Sequence, residues 1–422
     1  MSIDEQPFRW RSIALPVLLP ALLFGIGEGA VLPIIPIVAA DLAGSLVIAG
    51  IVAALLTIGE LLGNIPSGWL IGRVGERPAM IGAAGLGIVG LVVCVIAPNP
   101  VALGFGVFLL GLAAAMFALA RQAFLASFVP LPYRARALST LGGTLRFGIF
   151  VGPFLSAGLI HLTGVPASAF WINVVACVGV AIVLLVLPDP EQTFGAVRRI
   201  RMGHREVPEG EAEVELESVG LFRTIAANRG VLARMGLGAA VLSAVRTSRQ
   251  VLLPLWAVSI GVSDTTTALV IGIAAGLDFA LFYTSGWIMD RFGRLWSAVP
   301  ALVGLAAGHF VLAFTHDVPD NFVWFVAAAM VLSLANGVGS GIVMTLGADL
   351  ADRRNPAPFL GAFRFTGNLG GALSPLIIAG LTAIASLAVA AGSMGVLALV
   401  GAAVLGRYIP RYVPRSEPPR ST

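Results

Sequence analysis

The chain has 422 residues, of which 58% are hydrophobic and 11% are charged, and its mean hydropathy is +0.94. Soluble domains carry roughly 25% charged residues, so a soluble fold of this length could not cover its surface with so few charged side chains. Intrinsic disorder is excluded by the same low charge and high apolar content. The two cysteines, Cys94 and Cys177, lie far apart in apolar runs and predict neither a disulfide framework nor a thiolate metal site. All 26 basic residues are arginines, so the sequence has no lysine-containing phosphate loop for ATP.

Apolar stretches of about 20 residues, the length that crosses a membrane as a helix, recur along the whole chain. Short connections with Gly, Pro, Asp or Asn separate them. We predict an all-α membrane protein with twelve transmembrane helices. These are spans 1 to 12, at about 13–40, 45–71, 78–97, 101–127, 137–162, 167–187, 230–259, 265–289, 296–315, 321–348, 358–382 and 386–406.

One connection is long and polar and divides the spans six and six. We therefore predict an N-terminal six-helix bundle (1–187), a cytoplasmic linker (188–229) and a C-terminal six-helix bundle with a short cytoplasmic tail (230–422). The linker begins with arginines (198–205) and continues with glutamates (206–217). A solvated connection with a short amphipathic helix on the membrane surface is the simpler interpretation, and a regulatory docking segment is the alternative.

Arginines occupy every second connection, and the other connections have none. Positive residues stay on the cytoplasmic side of a membrane protein, so we expect both termini in the cytoplasm and the protein in the inner membrane. The charges are scattered over short loops, which excludes a nucleic-acid partner. The arginines concerned are Arg9, Arg11, Arg73, Arg77, Arg134, Arg136, Arg198, Arg199, Arg201, Arg205, Arg291, Arg294, Arg353, Arg354, Arg407, Arg411, Arg415 and Arg420.

The two halves match at a constant offset of 218 residues. Trp69 falls on Trp287, and the offset also pairs Glu60 with Asp278 and Arg146 with Arg364. Because both halves run in the same direction, the bundles are expected to be related by a pseudo-twofold axis along the membrane normal. Repeats of this kind belong to transporters whose bundles rock about a site near the middle of the membrane.

Two segments at equivalent places carry a family resemblance. Gly68-Trp-Leu-Ile-Gly-Arg-Val-Gly-Glu-Arg77 ends span 2, and Gly286-Trp-Ile-Met-Asp-Arg-Phe-Gly-Arg294 ends span 8. Both resemble the G-x-L-x-D-R-x-G-R signature of the major facilitator superfamily, although Gly72 and Glu76 replace its Asp and second Arg in the first copy. The resemblance implies gating, in which Asp290 binds a helix N-terminus across the bundle interface and stabilises the outward-open state. The residues implied are Gly68, Arg73, Gly75, Arg77, Gly286, Asp290, Arg291, Gly293 and Arg294.

A further motif lies in span 5. Gly148-Ile-Phe-Val-Gly152-Pro153-Phe-Leu-Ser-Ala-Gly158 resembles the G-x-x-x-G-P-x-x-G-G motif of the drug/proton antiporters of that superfamily, with Ser156-Ala157 in place of the last glycine pair. The alternative interpretation is structural: spaced glycines let helices approach closely, and a proline removes one backbone hydrogen bond and kinks the helix.

Charged residues inside a membrane are costly and mark functional sites. We predict that the acids Glu28, Glu60 and Asp278 couple transport to protons. Buried ion pairs are the alternative, and the repeat suggests a shared structural role for Glu60 and Asp278. The predicted charge network consists of Arg121, Arg146 and Arg364. The predicted substrate cavity is lined by Glu28, Arg246, Arg249, Asn173, Asn336 and Asn368, with interhelical hydrogen bonds as the alternative for the asparagines.

Together these features predict a secondary active transporter that works by alternating access. The motif in span 5 favours proton-coupled efflux of small hydrophobic or amphipathic compounds. The many arginines keep open the alternative, a proton-coupled uptake symporter or facilitator for a small polar or anionic nutrient. We expect a small-molecule substrate, protons and the lipid bilayer as partners and one chain as the functional unit. No enzymatic activity, cofactor or metal is expected, because the sequence has no nucleophile motif and no metal-ligand spacing.

Overall fold

The computed structural model describes residues 17–129, 131–187, 199–202, 205–208, 221–351 and 357–413. Arg9, Arg11, Arg198, Arg353, Arg354, Arg415, Arg420 and most of the predicted linker lie outside these residues. The α-helices of the first half are α1 (Leu19–Val31), α2 (Ile34–Ala43), α3 (Leu46–Val74), α4 (Glu76–Val95), α5 (Pro100–Phe128), α6 (Leu131–Thr163) and α7 (Phe170–Val186). Those that follow are α8 (Leu221–Ala227), α9 (Arg229–Val231), α10 (Leu237–Ser259), α11 (Asp264–Phe292), α12 (Leu295–Phe314), α13 (Asn321–Val338), α14 (Ile342–Leu350), α15 (Ala357–Ile384) and α16 (Leu387–Tyr412).

Eleven helical segments in the described chain are long and apolar enough to cross a membrane. They coincide with the predicted spans except for span 7. That span forms helix α10, but Arg246, Arg249 and Gln250 interrupt its apolar sequence, and it is not among the eleven. The protein is therefore an integral membrane protein, and the twelve-helix arrangement in two bundles stays a prediction with which these helices agree.

Two predicted spans are broken rather than continuous. Span 1 is divided between α1 and α2 at Leu32 and Pro33, where the proline has no N–H to continue the helical ladder. Span 10 is divided between α13 and α14, just before which Gly341 has a φ of 78°. Glycine enters this left-handed region without the steric penalty of a side chain.

The two signature segments have the same local structure. Gly75 and Gly293 end α3 and α11 with φ angles of 89° and 92°, a region that disfavours residues with a Cβ. The guanidinium of Arg73 lies 4.0 Å from the centre of the Trp69 ring, and that of Arg291 lies 5.5 Å from the Trp287 ring. The duplication seen in the sequence therefore extends to backbone conformation and side-chain contacts.

Contacts between the two halves also follow the repeat. Helix α6 packs on α11, and α15 packs on α3. Under the offset of 218 residues α6 corresponds to α15 and α11 to α3, so each contact is the counterpart of the other. This symmetry agrees with the predicted pseudo-twofold axis.

The predicted linker differs from expectation where the structure describes it. Strands β1 (Arg199–Met202) and β2 (Arg205–Pro208) form an antiparallel pair with Ile200 opposite Val207. Over the described ranges of the chain, this short hairpin is the only strand structure beside the helices, and the charge pattern of the linker did not predict it. One short helix, α8, lies at the end of the predicted linker and is seven residues long; an amphipathic helix on the membrane surface and the bounds of the linker stay predictions.

Candidate functional site

A large cavity lies between the two halves, and we call it the central vestibule. It has a main lobe of about 990 Å³ and a second lobe of about 600 Å³ that shares twelve of its lining residues. Eight charged residues from the interior of the predicted spans line the main lobe. They are Glu28, Glu60, Arg121, Arg146, Arg246, Arg249, Asp278 and Arg364.

The vestibule opens towards the end of the helices that carries the arginine-rich connections. Its lining reaches Leu138 near the start of α6 and Leu360 near the start of α15. At the opposite end the halves touch, because Gly272 of α11 lies against the ring of Phe154 in α6. Within the described residues, the two halves are therefore separated at the arginine-rich face and in contact at the other.

Asp278 on α11 is the centre of the charge cluster. One of its carboxylate oxygens accepts hydrogen bonds from Arg249 at 2.9 Å and from the Asn336 side chain at 2.6 Å. The other oxygen lies 3.5 Å from Arg146, which belongs to the first half. Arg249 also donates to Ser333 at 3.0 Å. This carboxylate thus joins α10, α11, α13 and α6, and the Arg146 contact crosses between the halves.

Arg246 reaches the same cluster through an amide. Its Nε donates to the Asn336 Oδ1 at 2.6 Å, while the Asn336 Nδ2 donates to Asp278. Asn336 is 3% exposed, and its side chain bonds to Arg246 of α10 and to Asp278 of α11. These are the interhelical hydrogen bonds that were the alternative interpretation for the asparagines. Asn368 is exposed and lines both lobes.

Glu28 and Glu60 differ from Asp278. Within the described residues neither carboxylate has an ion pair or a hydrogen bond, although both line both lobes of the vestibule. The shared structural role expected for Glu60 and Asp278 is therefore wrong for this conformation, because only Asp278 is paired. A free carboxylate on a water-accessible cavity can take up and release a proton without breaking a structural contact.

A small chamber of about 30 Å³ lies behind these two acids. It is lined mostly by apolar side chains, together with Glu28, Glu60, Asn173 and Cys177. A volume of about 10–15 Å³ holds one water, so the chamber has room for water but not for a nutrient. Asn173 thus lines this chamber and not the vestibule, so the prediction that it lines the substrate cavity is wrong for this conformation.

Arg121 faces the unpaired acids from α5. It is 8% exposed, its Nε has no hydrogen-bond partner within the described chain, and its guanidinium lies 5.9 Å from the Phe117 ring. Phe117 in turn stacks on Phe24 at 4.1 Å. Arg121 therefore supplies positive charge close to Glu28 without being locked to it.

Arg364 completes the predicted charge network from the other half. Its guanidinium donates to the Gln122 side chain at 3.2 Å, a bond that crosses between α15 and α5. Gln122 was not predicted as a site residue. Its position beside Arg121 inside an apolar span is the signal that could have identified it.

Two arginines of the signature segments, Arg77 and Arg294, bond to residues of their own half of the chain. Arg77 donates at 2.7 Å to the carbonyl of Leu184 and also to that of Leu187, at the end of α7. Arg294 donates to Asp349 at 2.9 Å, and this bond raises the pKa of the Arg294 guanidinium above its ordinary value. The Asp349 partner was not predicted, because nothing in the sequence around Asp349 distinguishes it from other acids in the connections.

Among the residues that the structure describes, Asp290 makes no contact with the other half of the chain. Its side chain is 84% exposed and lies 3.5 Å from Arg294, which is four residues further along the chain. The predicted contact with a helix N-terminus belongs to the outward-open state, so a structure open at the arginine-rich face is not expected to contain it. The gating role stays a prediction.

The glycines of the motif in span 5 pack α6 against α1. A Cβ added at Gly148 would lie 2.7 Å from the Leu22 carbonyl oxygen, and one added at Gly152 would lie 2.5 Å from that of Ile26. Gly25 and Gly29 of α1 face the α6 backbone in the same way. Close packing, the structural alternative for this motif, therefore accounts for Gly148 and Gly152.

The chain matches the family described as Major Facilitator Superfamily over residues 17–375 and, in a second match, over residues 235–422. Among curated proteins it is similar to the galactose-proton symporter of Escherichia coli, with 25% identity over 206 residues, which cover 48% of this chain and 44% of the relative. It is also similar to the gentisate transporter of Corynebacterium glutamicum, with 25% identity over 303 residues, 69% of this chain and 62% of the relative.

A third relative is a probable inositol transporter of Arabidopsis thaliana, 22% identical over 296 residues, which cover 63% of this chain and 51% of that protein. The chain thus spans between 44% and 62% of the length of these relatives. None of the three is named as an antiporter, so the predicted drug/proton antiporter branch, with its efflux and multidrug function, is not supported.

Solved structures share the fold. The xylose transporter XylE from E. coli, in a partially occluded inward-open conformation, is similar with a TM-score of 0.69 and 15% identity over 95% of this chain and 99% of that chain. A POT family peptide transporter is similar with a TM-score of 0.73 and 12% identity over 98% and 99%. At these identities the likeness concerns the fold alone.

Proposed function

Because the chain belongs to the major facilitator superfamily, we propose that it is a secondary active transporter that takes up a small polar or anionic nutrient together with protons. The proposal includes twelve membrane helices in two bundles, alternating access and one chain as the working unit. With the arginine-rich connections in the cytoplasm, the described conformation is inward-open.

The observation that carries this proposal is the central vestibule. It lies between two repeat-related halves, contains eight charged side chains and opens at one face. A site at the interface of repeats is where rigid-body rocking exposes a substrate alternately to the two sides. The volume of about 990 Å³ is sufficient for a metabolite-sized solute.

The coupling groups in this proposal are Glu28 and Glu60. Their carboxylates are not engaged in ion pairs or hydrogen bonds within the described residues, while Asp278 is held by Arg249 and Asn336. Loading a proton onto Asp278 would cost the energy of that pair, whereas loading one onto Glu28 or Glu60 breaks no such contact. Arg121 of α5 lines both lobes together with these two acids, so a positive charge lies in the same cavity as the carboxylates when they are deprotonated.

The direction of transport is proposed from relatives. A galactose-proton symporter and a gentisate transporter are among the proteins to which the chain is similar. The motif that had favoured efflux is accounted for by helix packing at Gly148 and Gly152. Uptake therefore has the better support.

The test uses purified protein in proteoliposomes with an imposed inward proton gradient and labelled galactose and benzoate as probes. We expect uptake of one of these probes that a protonophore abolishes. Glu28→Gln should abolish accumulation against a gradient while keeping counterflow, because only proton coupling is lost. Arg407→Gln, an exposed change outside the vestibule, is the matched control and should transport normally.

Two results would contradict the proposal. One is accumulation by both Glu28→Gln and Glu60→Gln variants, which would remove these acids as coupling groups. The other is lower dye accumulation in a pump-deficient host that expresses the protein, with no uptake of either probe, which would restore the efflux interpretation.

A further inference from the structure

We propose that Arg246 binds the carboxylate of a small aromatic acid in the vestibule, with Phe279 and Phe282 against the ring and Asp278 as an internal anion with which the substrate competes. This inference rests on the proposed uptake function and names the class of its substrate. It follows from charge balance, from the hydrogen bonds of each arginine and from the position of two aromatic rings.

The charges of the vestibule do not balance. Five arginines and three acids line its main lobe, so two positive charges remain even when every acid is ionised. The excess lies in the second half of the chain, where Arg246, Arg249 and Arg364 face the single carboxylate of Asp278. In the first half, Arg121 and Arg146 are matched in number by Glu28 and Glu60. A desolvated excess of positive charge favours an anionic ligand.

Arg246 is the arginine best prepared to bind that anion. Asn336 fixes it through Nε, and its two terminal amino groups have no hydrogen-bond partner in the described part of the chain. These groups form the planar fork that pairs with a carboxylate through two parallel hydrogen bonds. By contrast, Arg249 is bound to Asp278 and Ser333, and Arg364 is bound to Gln122.

Two phenylalanines supply an apolar wall in the same lobe. Phe279 and Phe282 follow Asp278 on α11 and line the main lobe. Phe282 is covered on one side by Arg146, whose guanidinium lies 4.7 Å from the ring centre, and Phe279 stacks on Phe150 with an interplanar angle of 3°. These contacts hold the rings in place, so a planar ligand can pack against a preformed surface.

Asp278 and the substrate carboxylate would then share the same cations. With the vestibule empty, Asp278 neutralises part of the charge of Arg249 and Arg146 and lowers the cost of burying them. Asn336 bonds to both Arg246 and Asp278, so an anion bound to Arg246 would lie close to the Asp278 carboxylate. The two negative charges would repel each other. Removal of the Asp278 charge should therefore strengthen anion binding, which is the opposite of what a direct ligand to the substrate would do.

The test measures equilibrium binding to the purified full-length protein by isothermal titration. The probes are benzoate, its neutral isostere benzamide, cyclohexanecarboxylate and D-galactose. We expect benzoate to bind about tenfold or more tightly than benzamide and more tightly than cyclohexanecarboxylate. Arg246→Gln should weaken benzoate binding about tenfold or more, Arg246→Lys should weaken it less, and Arg407→Gln should leave it unchanged.

Asp278→Asn should bind benzoate more tightly than the unmodified protein, provided that its size-exclusion profile is unchanged. If this variant fails to fold, the proposal is tested by the two variants Arg246→Gln and Arg246→Lys and by the comparison of benzoate with benzamide. Equal affinity for benzoate and benzamide, or undiminished binding by Arg246→Gln, would overturn the anion site. Binding of galactose but not of benzoate would overturn the substrate class and leave the uptake proposal standing. The proposed function itself would be contradicted if the unmodified protein transported none of the probes in the proteoliposome assay.

Discussion

The glycines of the motif in α6 allow a test in which the same substitution has opposite effects at two positions. At Gly152 an added Cβ would lie 2.5 Å from the Ile26 carbonyl oxygen and 2.6 Å from the Gly29 carbonyl carbon. These are backbone atoms of α1, so no side-chain rotation relieves the overlap. At Gly158, six residues further along the same helix, nothing lies within 4 Å of the added atom.

The expected magnitudes follow from two effects. In a helix, Gly→Ala gains about 0.5–1 kcal/mol because the unfolded chain loses conformational freedom. Overpacking of a well-packed core costs about 1–3 kcal/mol. Gly158→Ala should therefore be neutral or stabilising, and Gly152→Ala should be destabilising because the overlap with α1 exceeds the gain.

The assay is thermal unfolding in detergent, followed by the fraction that elutes as monodisperse protein after heating. We expect a lower midpoint for Gly152→Ala and for Gly148→Ala, and an equal or higher midpoint for Gly158→Ala. If all three variants had the same midpoint and only transport changed at Gly152, the packing argument would be refuted and the motif would have a direct role in transport.

Two further predictions concern other parts of the fold. Arg294→Gln and Asp349→Asn should each lower the free energy of unfolding by a similar small amount, on the order of 0.2–1 kcal/mol, because the pair is partly exposed. The double variant should be no less stable than either single one, and additive losses would show that the two side chains act separately. Met344 lines the vestibule and is 66% exposed, so the Met344→Cys variant should react with a polar maleimide applied from the cytoplasmic face. The native thiols Cys94 and Cys177 are buried and should stay unlabelled until the protein is denatured. Labelling from the outer face only would contradict the inward-open assignment.

The helices and the repeat could be predicted from sequence because both depend on local pattern. A run of about 20 apolar residues marks a membrane helix wherever it occurs, and Trp69 and Trp287 identify equivalent places in the two halves. The breaks at Pro33 and Gly341 were not predicted. Helices tolerate Pro and Gly in membranes when neighbouring groups satisfy the backbone, so these residues alone do not decide between a kink and a break.

The members of the vestibule could be predicted, but their pairing could not. Eight charges in apolar spans stand out because each is costly. Which of them pair depends on which helices are neighbours and on residues that the repeat did not preserve. Asp278 is held by Arg249 and Asn336, whose counterparts at the offset of 218 residues are Val31 and Ala118. Glu60 therefore has no equivalent partners, and the repeat does not extend to the pairing of these two acids.

Helix α10 has a consequence for how the protein is made. Arg246 and Arg249 lie near its middle, and each arginine at the centre of a membrane helix costs about 2.5–3.5 kcal/mol on insertion scales. This helix is the one predicted span that lacks the composition of a membrane helix. Arg249 is bound by the carboxylate of Asp278 on α11, and Arg246 by the neutral amide of Asn336 on α13; both of these residues are synthesised later. We therefore expect α10 to be fully stabilised in the bilayer only after α11 has supplied Asp278 to Arg249 and α13 has supplied Asn336 to Arg246.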